Sequence, residues 1–167
     1  MKNILLIGGS YGIGKAIAQL MQFDCNIYIA ARTNEQISDL RVNYIPFDAS
    51  IDTLDSSQLP AVLDGLVFCP GSINLRPFKG IKPETFESDL QINFINMVKV
   101  VQTVLPQLTA SEQASIVLFS SVAASMGMPF HTSVAAAKGA IEGFAKALAA
   151  EYAPKIRVNV IAPSLTD

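Results

Sequence analysis

The chain has 167 residues, half of them apolar, with 16% charged and a formal net charge of −2. That composition builds one domain with a real core and excludes a disordered chain. It also makes nucleic acid a poor partner, because no long basic run exists to meet phosphates. The first apolar run, Ile4 to Ile7, is too short for a secretion signal or a membrane span, and no later stretch reaches membrane length uninterrupted. Two cysteines, Cys25 and Cys69, suit a cytoplasmic protein without a disulfide framework. The expectation is a cytoplasmic protein with no membrane segment, no nucleic-acid partner and no metal site.

In chain order, strand-length apolar runs occur at Ile4 to Ile7, Ile27 to Ala31, Leu63 to Cys69, Ile116 to Phe119 and Ile156 to Ile161. Most are continuous rather than alternating, which is how parallel strands covered on both faces read. Asn43 to Phe47 is a weaker strand; its Pro46 suits a sheet edge. Between the strands lie helical patterns. One runs from about Gly12 to Phe23, with Ile13, Ile17 and Leu20 on one face. Ile37 and Leu40 suggest a short second helix, and Leu54 to Leu59 a brief one. Glu84 to Leu108 reads as two helices or one bent helix, with Pro106 ending or kinking its last turn. Ala135 to Tyr152 carries the strongest helical signal, with Ile141, Phe144 and Leu148 on a common stripe and Pro154 beyond its end. Strand and helix alternate throughout, so the expected fold is α/β: a Rossmann-like, doubly wound parallel sheet of about six strands flanked by helices, forming a single domain. The chain stops soon after the sixth strand, and a longer parent protein is expected.

The first strand runs into Gly8-Gly9-Ser10-Tyr11-Gly12-Ile13-Gly14. Glycines there allow a tight turn and a close backbone approach to a pyrophosphate, which the following helix meets with free N–H groups and a positive dipole end. A strand–helix turn can also need glycine for packing alone. The spacing of Gly8, Gly12 and Gly14 resembles that of short-chain dehydrogenases/reductases, and the resemblance extends from Ile4 through Pro163.

That resemblance implies a dinucleotide site. Gly8, Ser10, Tyr11, Gly12, Ile13 and Gly14 would cradle the phosphates. The second strand ends at Ala31-Arg32, where NAD-binding relatives usually carry an acid. Arg32 can instead pair with the 2′-phosphate of NADP, so NADP(H) is preferred, with NAD(H) still possible; a solvated surface cation is the plainer alternative. Asp48 would accept from the adenine amino group, or serve as a turn residue, and Ala49 beside it leaves room for the ring. Where the family has an Asn-Asn-Ala-Gly turn, this chain reads Phe68-Cys69-Pro70-Gly71. Gly71 keeps the close approach, and Cys69 reads as packing beside the cofactor rather than as a reactive thiol.

At the chemical end, Asn93 matches the asparagine whose backbone holds a structural water in the family's proton relay. Ser121 matches the serine that binds the substrate oxygen, with Ser120 as the neighbouring candidate. Lys138 matches the lysine that bonds the nicotinamide ribose. Four residues before it, where the family has the proton-donating tyrosine, stands Val134. Ser121, His131 and Lys138 acting through water are the substitutes to compare, and none restores the standard mechanism. Met126, Met128 and Phe130 either line an apolar side of the pocket or pack in the core. Pro163 belongs to a loop that encloses the nicotinamide in the family, with Ser164 in place of the usual glycine.

Three functions follow as expectations. One is an NADP(H)-dependent oxidoreductase acting on a small-molecule carbonyl or alcohol, with a nonstandard proton donor. The second is a noncatalytic NADP(H)-binding or regulatory protein, and the third a structural subunit. The long helices also suggest a homodimer or homotetramer.

Overall fold

A computed structural model describes residues 1–164. Six parallel strands form one sheet in the order β3-β2-β1-β4-β5-β6. They are β1 (Lys2–Ile7), β2 (Cys25–Ala31), β3 (Val42–Pro46), β4 (Gly65–Phe68), β5 (Ala114–Phe119) and β6 (Ile156–Ile161). The order reverses direction beside β1, so a crevice opens past the carboxyl ends of β1 and β4, where α/β sheets bind ligands. The weak strand β3 sits at the edge, and Pro46 ends it.

The continuous apolar runs are explained by burial on both faces. Leu5 and Ile7 point into one layer with Leu66, Phe68, Ile116 and Leu118; Ile4 and Leu6 point into the other with Ile27, Ile29 and Val67. The larger layer is closed by Met97, Val100, Val101 and Val104 of one helix and Ile141 and Ala145 of another. Phe94 and Phe144 meet there edge to face, with centroids 5.8 Å apart.

The helices are α1 (Gly12–Met21), α2 (Pro83–Leu90), α3 (Asn96–Ala110), α4 (Ala123–Met126) and α5 (Thr132–Tyr152). Several differ from the sequence expectation. On α1, Leu20 is 79% exposed and Ile13 is also exposed, while Gly14 and Ala18 are buried and Ile17 and Met21 pack at their flanks. Small side chains make the contact because the helix passes very close to the glycine turn. The expected helices at Ile37 and at Leu54 to Leu59 are single 3₁₀ turns, Glu35–Ile37 and Ser56–Gln58. Helices α2 and α3 form one path joined by a π turn at Gln91–Ile95. Pro106 does not end it: α3 continues to Ala110. Pro106 and Gln102 are both exposed, so the carbonyl deprived of its helical partner can turn to water. Helix α5 starts at Thr132, three residues earlier than its pattern indicates, with the Ala135 amide donating to the His131 carbonyl at 2.8 Å. Among the described residues, no helix is long and apolar enough to cross a membrane.

Candidate active site

Backbone hydrogen bonds draw the strand ends around the crevice together. The Gly8 amide donates to Ala30 at 2.9 Å, Cys69 to Ile7 at 3.0 Å and Phe47 to Ala31 at 3.0 Å. The glycine turn, the end of β2, the Asp48 loop and the turn after β4 therefore share one rim. They enclose a cleft of about 420 Å³ lined by Gly8, Ser10, Tyr11, Arg32, Asp48, Ala49, Cys69 and Gly71, among others. Gly12, Ile13 and Gly14 form the adjoining first turn of α1.

The geometry of this turn requires glycine at two positions. Gly8 has φ +73°, and a side chain there would meet Pro70 at 3.0 Å. A Cβ on Gly14 would lie 2.8 Å from the Gly8 carbonyl oxygen and 2.8 Å from the Gly9 Cα, both backbone atoms. Helix α1 has no side-chain cap and no acid in its first turn. Its unpaired N–H groups and positive dipole end suit a doubly anionic pyrophosphate. Arg32 is exposed at the cleft wall, and its charge helps hold Asp48 below the usual carboxylate range. The larger cause is the Ser50 amide, which donates to Asp48 Oδ1 at 2.8 Å. Asp48 thus serves its own turn. Burial pushes the Cys69 thiol up to about 12, which leaves it protonated and inert at neutral pH.

A second cluster lies on the far side of Gly71. A Cβ on Gly71 would fall 3.0 Å from Asn93 Oδ1 and 3.3 Å from Lys138 Nζ, so this glycine lets the turn pass between the two. Asn93 is fully buried in the π turn; its Nδ2 donates to the Asp89 carbonyl at 2.9 Å and its Oδ1 accepts from the Ser72 amide at 3.2 Å. Lys138 Nζ donates to the Phe119 carbonyl at 2.9 Å, and burial lowers its pKa. Ser121, at the end of β5, accepts from the Ala123 amide at 3.2 Å and is half-buried. Ser120 points away into the fold: it is buried and donates to Glu142 Oε1 at 2.7 Å. Of the two serines, only Ser121 is free to meet a ligand oxygen.

Val134 is 3% exposed and carries no polar atom to replace a hydroxyl. The His131 ring lies with Nδ1 2.7 Å from the Pro129 carbonyl, which requires the Nδ1 proton and leaves Nε2 as the free position. Pro163 accepts from the Val122 amide at 3.1 Å, tying the loop after β6 to the segment after Ser121. Met126, Met128 and Phe130 are exposed rather than core.

Sequence reading missed Asp89 and Ser72. Asp89 is fully buried four residues before Asn93, and that helical step was the only signal of it available in the sequence.

The family model described as short chain dehydrogenase matches residues 2–167. An uncharacterized oxidoreductase of Bacillus subtilis is 28% identical, covering 99% of this chain and 75% of its own. A 3-oxoacyl-(acyl-carrier-protein) reductase of Chlamydia trachomatis is 30% identical, covering 99% and 74%. A short-chain dehydrogenase/reductase structure from Saccharomyces cerevisiae superposes with a TM-score of 0.89 at 25% identity, covering 100% of this chain and 72% of that one. A short-chain dehydrogenase from Escherichia coli CFT073, complexed with NADPH, superposes with a TM-score of 0.86 at 25% identity, covering 98% and 76%.

Proposed function

This chain belongs to the short-chain dehydrogenase family, and from that premise we propose that it binds NADP(H) and interconverts a small-molecule carbonyl and its alcohol. The observation that carries the reading is the cleft at the sheet's switch point, which gathers an uncapped helix N-terminus, a glycine turn with no room for a side chain at Gly8 or Gly14 and the Arg32 cation. The glycine turn and α1 would hold the pyrophosphate. Arg32 would pair with the 2′-phosphate, and Ala31 offers no carboxylate to repel it. Ala49 would lie against the adenine, with Asp48 beside it.

When bound, NADPH supplies the hydride. Ser121 donates a hydrogen bond to the substrate oxygen and orients the carbonyl. Lys138 would hold the ribose and, through water, would give a proton to the oxygen as negative charge develops there. The lowered pKa of Lys138 makes it a better acid than an ordinary lysine.

A second reading is a binding protein without turnover. It is favoured by the buried Val134 and by the engagement of the Lys138 ammonium with Phe119. The homodimer or homotetramer belongs to either reading, and sedimentation measures it. Isothermal titration with NADPH and NADH tests the shared premise. Tighter binding of NADPH is expected; no binding of either cofactor overturns the proposal. Turnover on a carbonyl panel then separates the two readings.

A further inference from the structure

Beneath the turn after β4 lies a carboxyl group that the reaction above does not use. Asp89, in the last turn of α2, is 0% exposed. Its Oδ1 accepts from Ser72 Oγ at 2.9 Å and from Asn74 Nδ2 at 2.7 Å, both neutral donors. Its Oδ2 is buried with no partner. Burying a carboxyl group with one oxygen unsatisfied works against stability, and an apolar side chain of similar size is often tolerated better. The arrangement therefore calls for an explanation other than packing.

What Asp89 holds supplies one. Ser72 and Asn74 belong to the turn that begins at Gly71, where Phe68-Cys69 stand in place of the asparagine pair of the resembling turn. Ser72 Oγ, while donating to Asp89, accepts from Asn93 Nδ2 at 3.0 Å, and the Ser72 amide donates to Asn93 Oδ1. With Nδ2 also bonded to the Asp89 carbonyl, the Asn93 amide has a single orientation. Its Oδ1 lies on the Gly71 side, where Lys138 Nζ also approaches. A continuous set of hydrogen bonds runs from Asp89 through Ser72 to Asn93, ending next to the lysine.

We infer that Asp89 is a positioning residue for the lysine end of the site: it fixes the Gly71–Asn74 turn and, through Ser72, orients Asn93 beside Lys138. The anchoring is a property of the free protein. Its consequence for cofactor affinity rests on the reading of Lys138 as a ribose-binding group.

The test uses the full chain with Asp89→Leu and Asp89→Asn, the latter keeping an acceptor for Ser72 and Asn74. Without cofactor, amide hydrogen exchange at Ser72, followed by NMR against a β4 reference amide, is expected to rise about tenfold or more in Asp89→Leu and to stay within about threefold in Asp89→Asn. The NADPH dissociation constant is expected to rise about tenfold in Asp89→Leu and to be largely restored in Asp89→Asn. Unchanged Ser72 exchange in Asp89→Leu overturns the inference whatever the cofactor does. Faster exchange with unchanged NADPH affinity overturns the link to the site. If the unaltered protein does not bind NADPH, the function reading fails while Ser72 exchange still decides the anchoring. Should Asp89→Leu not fold, Ser72→Ala cuts the same connection at its hydroxyl, and exchange of the backbone amide at position 72, which donates to Asn93 Oδ1, is read together with NADPH affinity in the same way.

Discussion

The Lys138 ammonium donates to the Phe119 carbonyl across 2.9 Å, fastening helix α5 to the end of strand β5. This contact holds the lysine at the carboxyl end of β5, two residues before Ser121 in the chain. It also keeps a cation in a half-buried place, and burial lowers its pKa. Between the folded value and the unfolded value of about 10.4, the unfolded chain holds more protons, so this group makes stability rise with pH across that window. Below the window both states are protonated and its contribution is flat. Lys138→Met removes the effect. Urea denaturation from about pH 7 to about pH 10 should show wild-type stability gaining on the variant as pH rises; a constant difference contradicts the buried-cation account.

Gly14→Ala should be strongly disruptive, because the new methyl group would meet backbone at 2.8 Å on two sides. Overpacking of this kind costs about 1–3 kcal/mol, and NADPH binding should be lost with it. Gly139 and Gly143, inside α5 with open space around them, are the opposite case. Alanine at either should stabilise by about 0.5–1 kcal/mol through helix propensity. Thermal melts of the three variants check the contrast.

Arg32→Ala should weaken NADPH binding roughly 10- to 100-fold and leave NADH nearly unchanged, since a charge-assisted bond to phosphate exists only with the first. Fluorescence titration of both cofactors measures the ratio. Equal losses for the two would show that Arg32 does not read the 2′-phosphate.

Val134→Tyr places a phenol one helical turn before Lys138. The site is 3% exposed, so the larger ring should cost about 1–3 kcal/mol. If the missing acid limits the chemistry, NADPH oxidation with a panel of aldehydes and ketones should rise above the wild-type rate. Turnover that stays near zero with cofactor binding intact favours the binding-protein reading.

Much of this architecture was legible because its causes are local. A strand buried on both faces must be apolar throughout, so Ile4 to Ile7, Ile27 to Ala31 and Ile116 to Phe119 announce a parallel sheet. A tight turn from strand into helix needs glycine, so Gly8, Gly12 and Gly14 mark it, and the four-residue step from Val134 to Lys138 follows from the helix repeat. The helical pattern of α1 was harder to read. Ile13, Ile17 and Leu20 make a plausible face, yet the close approach at Gly8 selects Gly14 and Ala18 and leaves Leu20 in water. Pro106 could be judged only from its exposed place on α3.

Residues close together in the chain set the fold class, the glycine turn and the placing of the apolar Val134 four residues before Lys138. Tertiary structure alone decided which groups meet at Gly71. Ser72 reaches Asp89 across 17 positions of sequence and Lys138 reaches Phe119 across 19. Such pairs have no sequence periodicity; they exist because the crossovers of a parallel sheet bring distant segments to the same edge.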